Sequence, residues 1–174
     1  MYQVESGDID DRISWLDMEL NEGKRSPRIR QIASSILTRK TSTGEWAVPE
    51  RDWEAEVDAA YKFVRDKVRY TRDIHDVELF QKPDRTLQLR IGDCDDLTIL
   101  LGSILGSIGF PLRIRVVGLG GNSFQHVYLL AGIPPHDVKK WKPLDPSRAE
   151  GPGWEVTENV TIKQDYEVTS EENP

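Results

Sequence analysis

Cysteine is almost absent from this sequence. Its 174 residues include one, Cys94. A single thiol excludes an intrachain disulfide and a zinc site built on several thiolates. It fits a reducing compartment. Long apolar runs are missing too. The longest apolar-rich stretch, residues 97–108, is about half the roughly 20 residues that a membrane-spanning helix needs. Residues 1–10 are polar and acidic, without the basic start and apolar run of a secretory signal. These absences lead to the expectation of a cytoplasmic chain with no membrane partner.

An excess of positive charge is also lacking. Acidic side chains number 30 and basic ones 23, a net charge of −7. A chain of that sign gains nothing from releasing phosphate counterions, so no nucleic-acid partner is expected. The densest basic run, Lys24, Arg25, Arg28 and Arg30, reads as a solvated helix face. Repeats and low-complexity segments are absent. The length suits one compact domain with a sizeable core better than two.

What is present divides by its hydrophobic period. Residues 11–21 carry Ile13, Leu16 and Leu20 at helical spacing, with Gly23 as a stop. Ser26 and Pro27 read as the N-cap and first turn of a second helix, with Ile29, Ile32, Ala33, Ile36 and Leu37 on one face. A third helix is expected over residues 49–68, striped by Trp53, Val57, Ala60, Tyr61, Val64 and Val68. Residues 70–90 read as mostly irregular, with a helical turn after Pro83. A connection that long without clear structure is often part of a site. From residue 112 the pattern is that of strands, over 112–118, 125–131 and 141–145, with short ones at 154–157 and 159–162. Residues 170–174 read as frayed. Helices followed by antiparallel strands indicate an α+β fold. The expected organisation is an N-terminal helical extension over residues 1–48, a core over 49–165 and a polar tail over 166–174.

One helix stands out chemically. Gly92-Asp93-Cys94-Asp95-Asp96-Leu97 opens an apolar segment that ends at Ile108, with Gly109 placed for a left-handed cap and Pro111 beyond. Asp93 is a good N-cap, and Asp96 can complete a capping box. Leu97, Ile99, Leu100, Leu101, Ile104, Leu105 and Ile108 cover more than one face, so this helix is central and buried. Gly102 and Gly106 cost helix propensity, compensated by close approach of another element. Cys94 therefore sits in the first turn of a rigid platform. A helix N-terminus lowers a thiol's pKa, while Asp93, Asp95 and Asp96 oppose the thiolate. Taken alone, Cys94 reads equally as a small buried hydrophobe.

Two further residues fit a reaction centre. His126 shares a strand face with Tyr128 and Leu130. Asp145 ends the next strand, where a carboxylate could hold an imidazole tautomer. Cysteine at a buried helix start, histidine on one strand and aspartate on the next can supply nucleophile, base and orienter. His75, between Asp73 and Asp76 in a polar loop, and His136, after Pro134-Pro135, fit less well.

These residues also resemble a known family. The stretch from Thr86-Leu87-Gln88-Leu89-Arg90-Ile91 through Gly92-Asp93-Cys94 resembles the nucleophile motif of the transglutaminase-like superfamily. Gly109-Phe110-Pro111-Leu112-Arg113, Gln125-His126-Val127-Tyr128 and Trp141-Lys142-Pro143-Leu144-Asp145-Pro146-Ser147 resemble its later motifs. The resemblance covers residues 50–155, and the chain's ends are similar to compact members encoded by bacteriophages and prophages. It implies a papain-like α+β core, with N-terminal helices and a central cysteine-bearing helix packed on an antiparallel sheet. It also implies thiol chemistry. Cys94 would attack an amide carbonyl of a protein or peptide, His126 would shuttle the proton and Asp145 would orient His126, with a thioester between. The oxyanion would be held by the backbone N–H of Cys94, with Gln88 or Tyr70 as side-chain candidates. Valine follows His126 where many members have Ala-Trp. No cofactor or metal is implied, and Asp93, Cys94, Asp95 and His126 offer too few Cys and His for zinc. The alternative is a catalytically silent scaffold, an interaction module or phage assembly component with a phage structural protein as partner. Fold does not decide between the two.

Overall fold

A helix that is apolar around its whole circumference needs cover on every side. The computed structural model describes residues 2–4, 9–71, 78–121 and 123–169. In chain order it contains β1 (Tyr2–Val4), α1 (Ile9–Arg25), α2 (Pro27–Leu37), α3 (Trp53–Lys67), β2 (Arg69–Tyr70), β3 (Glu78–Phe80), α4 (Pro83–Leu89), β4 (Ile91–Gly92) and α5 (Cys94–Ser107). The strands β5 (Leu112–Leu119), β6 (His126–Ile133), β7 (Lys140–Leu144) and β8 (Val160–Glu167) follow. All four other helices pack on α5, and so does β6. From Asp95 to Leu105 every residue of α5 is buried.

The last four strands form one antiparallel sheet in the order β7-β6-β5-β8. All of β6 is buried, because both faces are covered. Val127 packs with Ile99 and with Ile13 and Leu16 of α1. Leu129 and Ala131 join Leu100, Leu101 and Ile104 and the apolar stripes of α2 and α3. Tyr128 and Leu130 face the opposite way, onto Val117, with Trp141, Val156 and Val160 beside them. The α+β architecture, with the cysteine-bearing helix packed on an antiparallel sheet, is the one expected from the sequence.

Local elements differ in instructive ways. Gly23 does not stop α1, which runs on to Arg25. A Cβ at Gly23 would lie 2.2 Å from Ser103 Oγ and 2.6 Å from Pro83 Cγ, so glycine permits α1 to cross α5 and α4 closely. The stretch 70–90 is more regular than its composition suggested, holding β3 and all of α4, with its two ends joined by the parallel pairing of β2 with β4. His75 lies outside the described residues. No strand forms at 154–157. One long strand, β8, pairs with β5 and runs past residue 165 to Glu167. Its partner choice depends on contacts distant in sequence, which short-range patterning does not register. Among the described residues no helix is long and apolar enough to cross a membrane.

Of the two glycines singled out in α5, only Gly102 meets a close neighbour. Its Cβ would stand 2.2 Å from Leu20 Cδ1, whereas one at Gly106 would make ordinary contact with Leu112 Cδ1 at 3.5 Å. Gly102→Ala should therefore destabilise by roughly 1–3 kcal/mol of overpacking, offset in part by helix propensity. Gly106→Ala should stabilise by up to about 1 kcal/mol. Urea unfolding of both variants checks the contrast; equal effects would contradict the packing described.

Candidate active site

Cys94 is the first residue of α5, and its position follows from the cap before it. Asp93 Oδ1 accepts from the N–H groups of Asp95, at 3.0 Å, and Asp96, at 3.1 Å. Asp96 Oδ2 accepts in return from the Asp93 N–H, completing a capping box. Asp96 also takes the Gln81 backbone N–H at 2.8 Å and the Gln81 side-chain amide at 2.6 Å, which fastens the entry to α4 onto the start of α5. The cap uses the amides of Asp95 and Asp96 and leaves that of Cys94 outside it.

His126 is the first residue of β6 and is 7% exposed. Its Nε2 lies 2.6 Å from Asp145 Oδ2. Asp145, 3% exposed, is the first residue after β7 and is held at several points. Its Oδ1 accepts from the Ser147 N–H at 3.1 Å and the Ser147 hydroxyl at 2.6 Å. Its backbone carbonyl accepts from the Tyr61 hydroxyl of α3 at 3.1 Å and from the Arg148 N–H. Upstream, Lys142 ties β7 to α3 through Glu54 and Asp58. A carboxylate fixed in this way sets which imidazole nitrogen is engaged, and leaves Nδ1 for other work.

Cys94 and His126 line one cleft of about 540 Å³, together with Tyr70, Asp93, Asp95, Phe124 and others. The sulfur is partly buried, and the backbone N–H of Val127, the residue after the histidine, favours its charged form. Burial pushes the Cys94 thiol well above its ordinary pKa, and Asp95 and Asp93 push the same way; Arg12 and the Val127 N–H oppose them.

The structure thus brings Cys94, His126 and Tyr70 to one cleft, with Asp145 behind His126. Gln88 is not brought there: it sits exposed on α4, accepting from Arg85 at 3.0 Å. Sequence reading missed Arg12, Ser147, Arg148 and Tyr61. Ser147 had a legible signal, since Asp-Pro-Ser suits a side-chain-closed turn. Arg12 and Tyr61 had none, being 82 and 84 residues from Cys94 and Asp145 respectively. Among the described residues no group of three or more His, Cys, Asp or Glu side chains could hold a metal ion.

Residues 30–146 match the family model of the transglutaminase-like superfamily. The chain belongs to that superfamily. Solved structures resemble it at low identity. One is a candidate protease from Parabacteroides distasonis, 15% identical, with a TM-score of 0.51 over 77% of this chain and 29% of that one. Another is a candidate cysteine protease from Cytophaga hutchinsonii, 14% identical, with a TM-score of 0.49 over 84% of this chain and 53% of that one. A third is described as a TGase, 12% identical, with a TM-score of 0.45 over 79% of this chain and 32% of that one. The chain therefore spans well under two thirds of the length of each, and the likeness is one of fold. No curated protein matches the chain.

The cap carries a pH signature. Burial lifts the Asp96 carboxyl to about 6, although the N–H groups of Gln81 and Asp93 pull it down. A carboxyl raised on folding favours the protonated folded state, so its contribution is full below the unfolded pKa and is lost as pH rises through about 6. Wild type should lose up to about 3 kcal/mol relative to Asp96→Asn between pH 4 and pH 7. Denaturant unfolding at both pH values measures this; a pH-independent difference would contradict it.

Proposed function

We propose that this chain is a cysteine-dependent acyl-transfer enzyme acting on protein or peptide amides. The observation that carries the reading is the buried His126–Asp145 pair at 2.6 Å, opening on the same cleft as Cys94. The Cys94 sulfur attacks the amide carbonyl carbon and its proton passes to Nδ1 of His126. The C–N bond breaks, the amine leaves with that proton, and a thioester joins the acyl group to Cys94. Water or a second amine then attacks the thioester, gives its proton to His126, and the thiol is restored. Asp145 holds the imidazole through Nε2 and stabilises it while charged. The backbone N–H of Cys94 is the proposed donor to the oxyanion, and the Tyr70 hydroxyl is the side-chain candidate for a second donor.

One observation favours a silent scaffold. Burial, Asp95 and Asp93 hold the thiol protonated, so the sulfur depends on His126 for activation. In that reading the chain is an interaction module that keeps the fold without turnover.

Thiol alkylation separates the two. In the enzyme, wild-type Cys94 reacts with iodoacetamide at pH 7 faster than free cysteine, and Cys94→Ala abolishes both labelling and amide turnover. His126→Ala should leave a sluggish thiol that reacts only in alkaline solution, because the raised pKa is then unopposed. Asp145→Asn should lower turnover by roughly 10²–10⁴-fold. Turnover is read on a peptide-amide library, with a fluorescent primary amine to detect transfer. A wild-type sulfur no faster than free cysteine, unchanged by His126→Ala, overturns the enzymatic reading.

A further inference from the structure

The residue that follows Cys94 is a carboxylate 2% exposed, and a helix from outside the family-model match pairs with it. Asp95 Oδ2 receives Arg12 Nη2 at 2.7 Å. The Arg12 side chain is 21% exposed and itself lines the cleft beside Cys94 and His126. Arg12 belongs to α1, which ends at Arg25, before the matched segment begins at residue 30. A buried carboxylate without a counter-ion is costly, and adjacent to a nucleophile it opposes any negative charge that forms there. An ion pair offsets part of that opposition, because the two opposite charges act on the sulfur together.

We infer that Arg12 is a positioning residue of the Cys94 site, holding Asp95 neutralised and fixed, so that α1 is part of the reacting centre. The inference rests on the reading of Cys94 as a nucleophile. Among the described residues that line the cleft, the other charged and titratable groups are Asp93 at the N-cap of α5, His126 on β6, Tyr70 on β2 and Arg148 after β7. Of these, Asp93 adds to the opposition. Arg148 lies 3.9 Å from Asp145, so its charge is directed at the carboxylate behind His126 rather than at Asp95. Arg12 is thus a cation in direct contact with the carboxylate that follows Cys94 in the chain.

The test is the pH profile of Cys94 alkylation by iodoacetamide, which is unambiguous because the chain has one cysteine. Arg12→Gln should move the midpoint up by about one pH unit and slow labelling at pH 7 by about tenfold. Arg12→Lys should retain most of the wild-type rate. Asp95→Asn should move the midpoint down, and the double variant Arg12→Gln/Asp95→Asn should return it to the wild-type value. Circular dichroism establishes that each variant is folded. Where Arg12→Gln does not fold, the direction of the Asp95→Asn shift decides. A purely structural salt bridge would lower stability in Arg12→Gln and leave the midpoint in place; that result, or an unmoved midpoint in Asp95→Asn, overturns the inference. A sluggish wild-type sulfur whose midpoint still follows Arg12 would defeat the acyl-transfer reading alone.

Discussion

The burial of α5 on all sides is the constraint from which the rest of this molecule follows. A helix with apolar residues around its circumference has no face to give to water. Four helices and the central strand of a sheet are needed to cover it, and no single one suffices. The arrangement leaves only the two ends of α5 available. At one end Gly109 turns the chain left-handed into the sheet, with φ of +90°. The other end is the capped N-terminus with Cys94, the place on such a helix where a polar side chain can meet both solvent and a strand.

The partners of that end are fixed by hydrogen bonds rather than by apolar packing. Asp145 is buried, and a buried carboxylate must be satisfied from several directions. Ser147 and His126 satisfy the carboxylate from a turn and a strand, and Tyr61 of α3 holds the backbone carbonyl of the same residue. The imidazole is therefore oriented by a residue whose backbone is itself anchored to α3. Lys142 adds a second tie between the same two elements, so the strand leading to Asp145 is held along its length.

Much of this was legible in the sequence where the signal is local. Asp93 and Asp96 announced the capping box, Ser26-Pro27 the start of α2, and the apolar density of residues 97–105 the central position of α5. The candidate residues Cys94, His126 and Asp145 could be named because each sits at the boundary of a readable element. What could not be read depends on distance along the chain. Gly23 looked like a stop, because its purpose is a crossing with Ser103 and Pro83. β8 looked like fragments, because its alternation is weak and its partner lies 48 positions back in register at Val116 and Gln164. Gln88 stood at a plausible spacing before Cys94, yet α4 turns it to solvent. Arg12 gave no sign at all, since its meaning comes from Asp95.

The burial of every residue of β6 has a consequence for motion. Strands covered on both faces exchange their amide hydrogens only on large-scale opening, while loops and edges open at far lower cost. His126 starts such a strand, and Cys94 starts a helix just as deeply enclosed. The proposed nucleophile and base thus stand on two of the most enclosed elements of the fold, with little freedom to shift. On the proposed acyl-transfer reading, accommodation of a substrate would fall to the cleft's wall, at Tyr70, Leu119 and Phe124, while the groups beneath it keep their places.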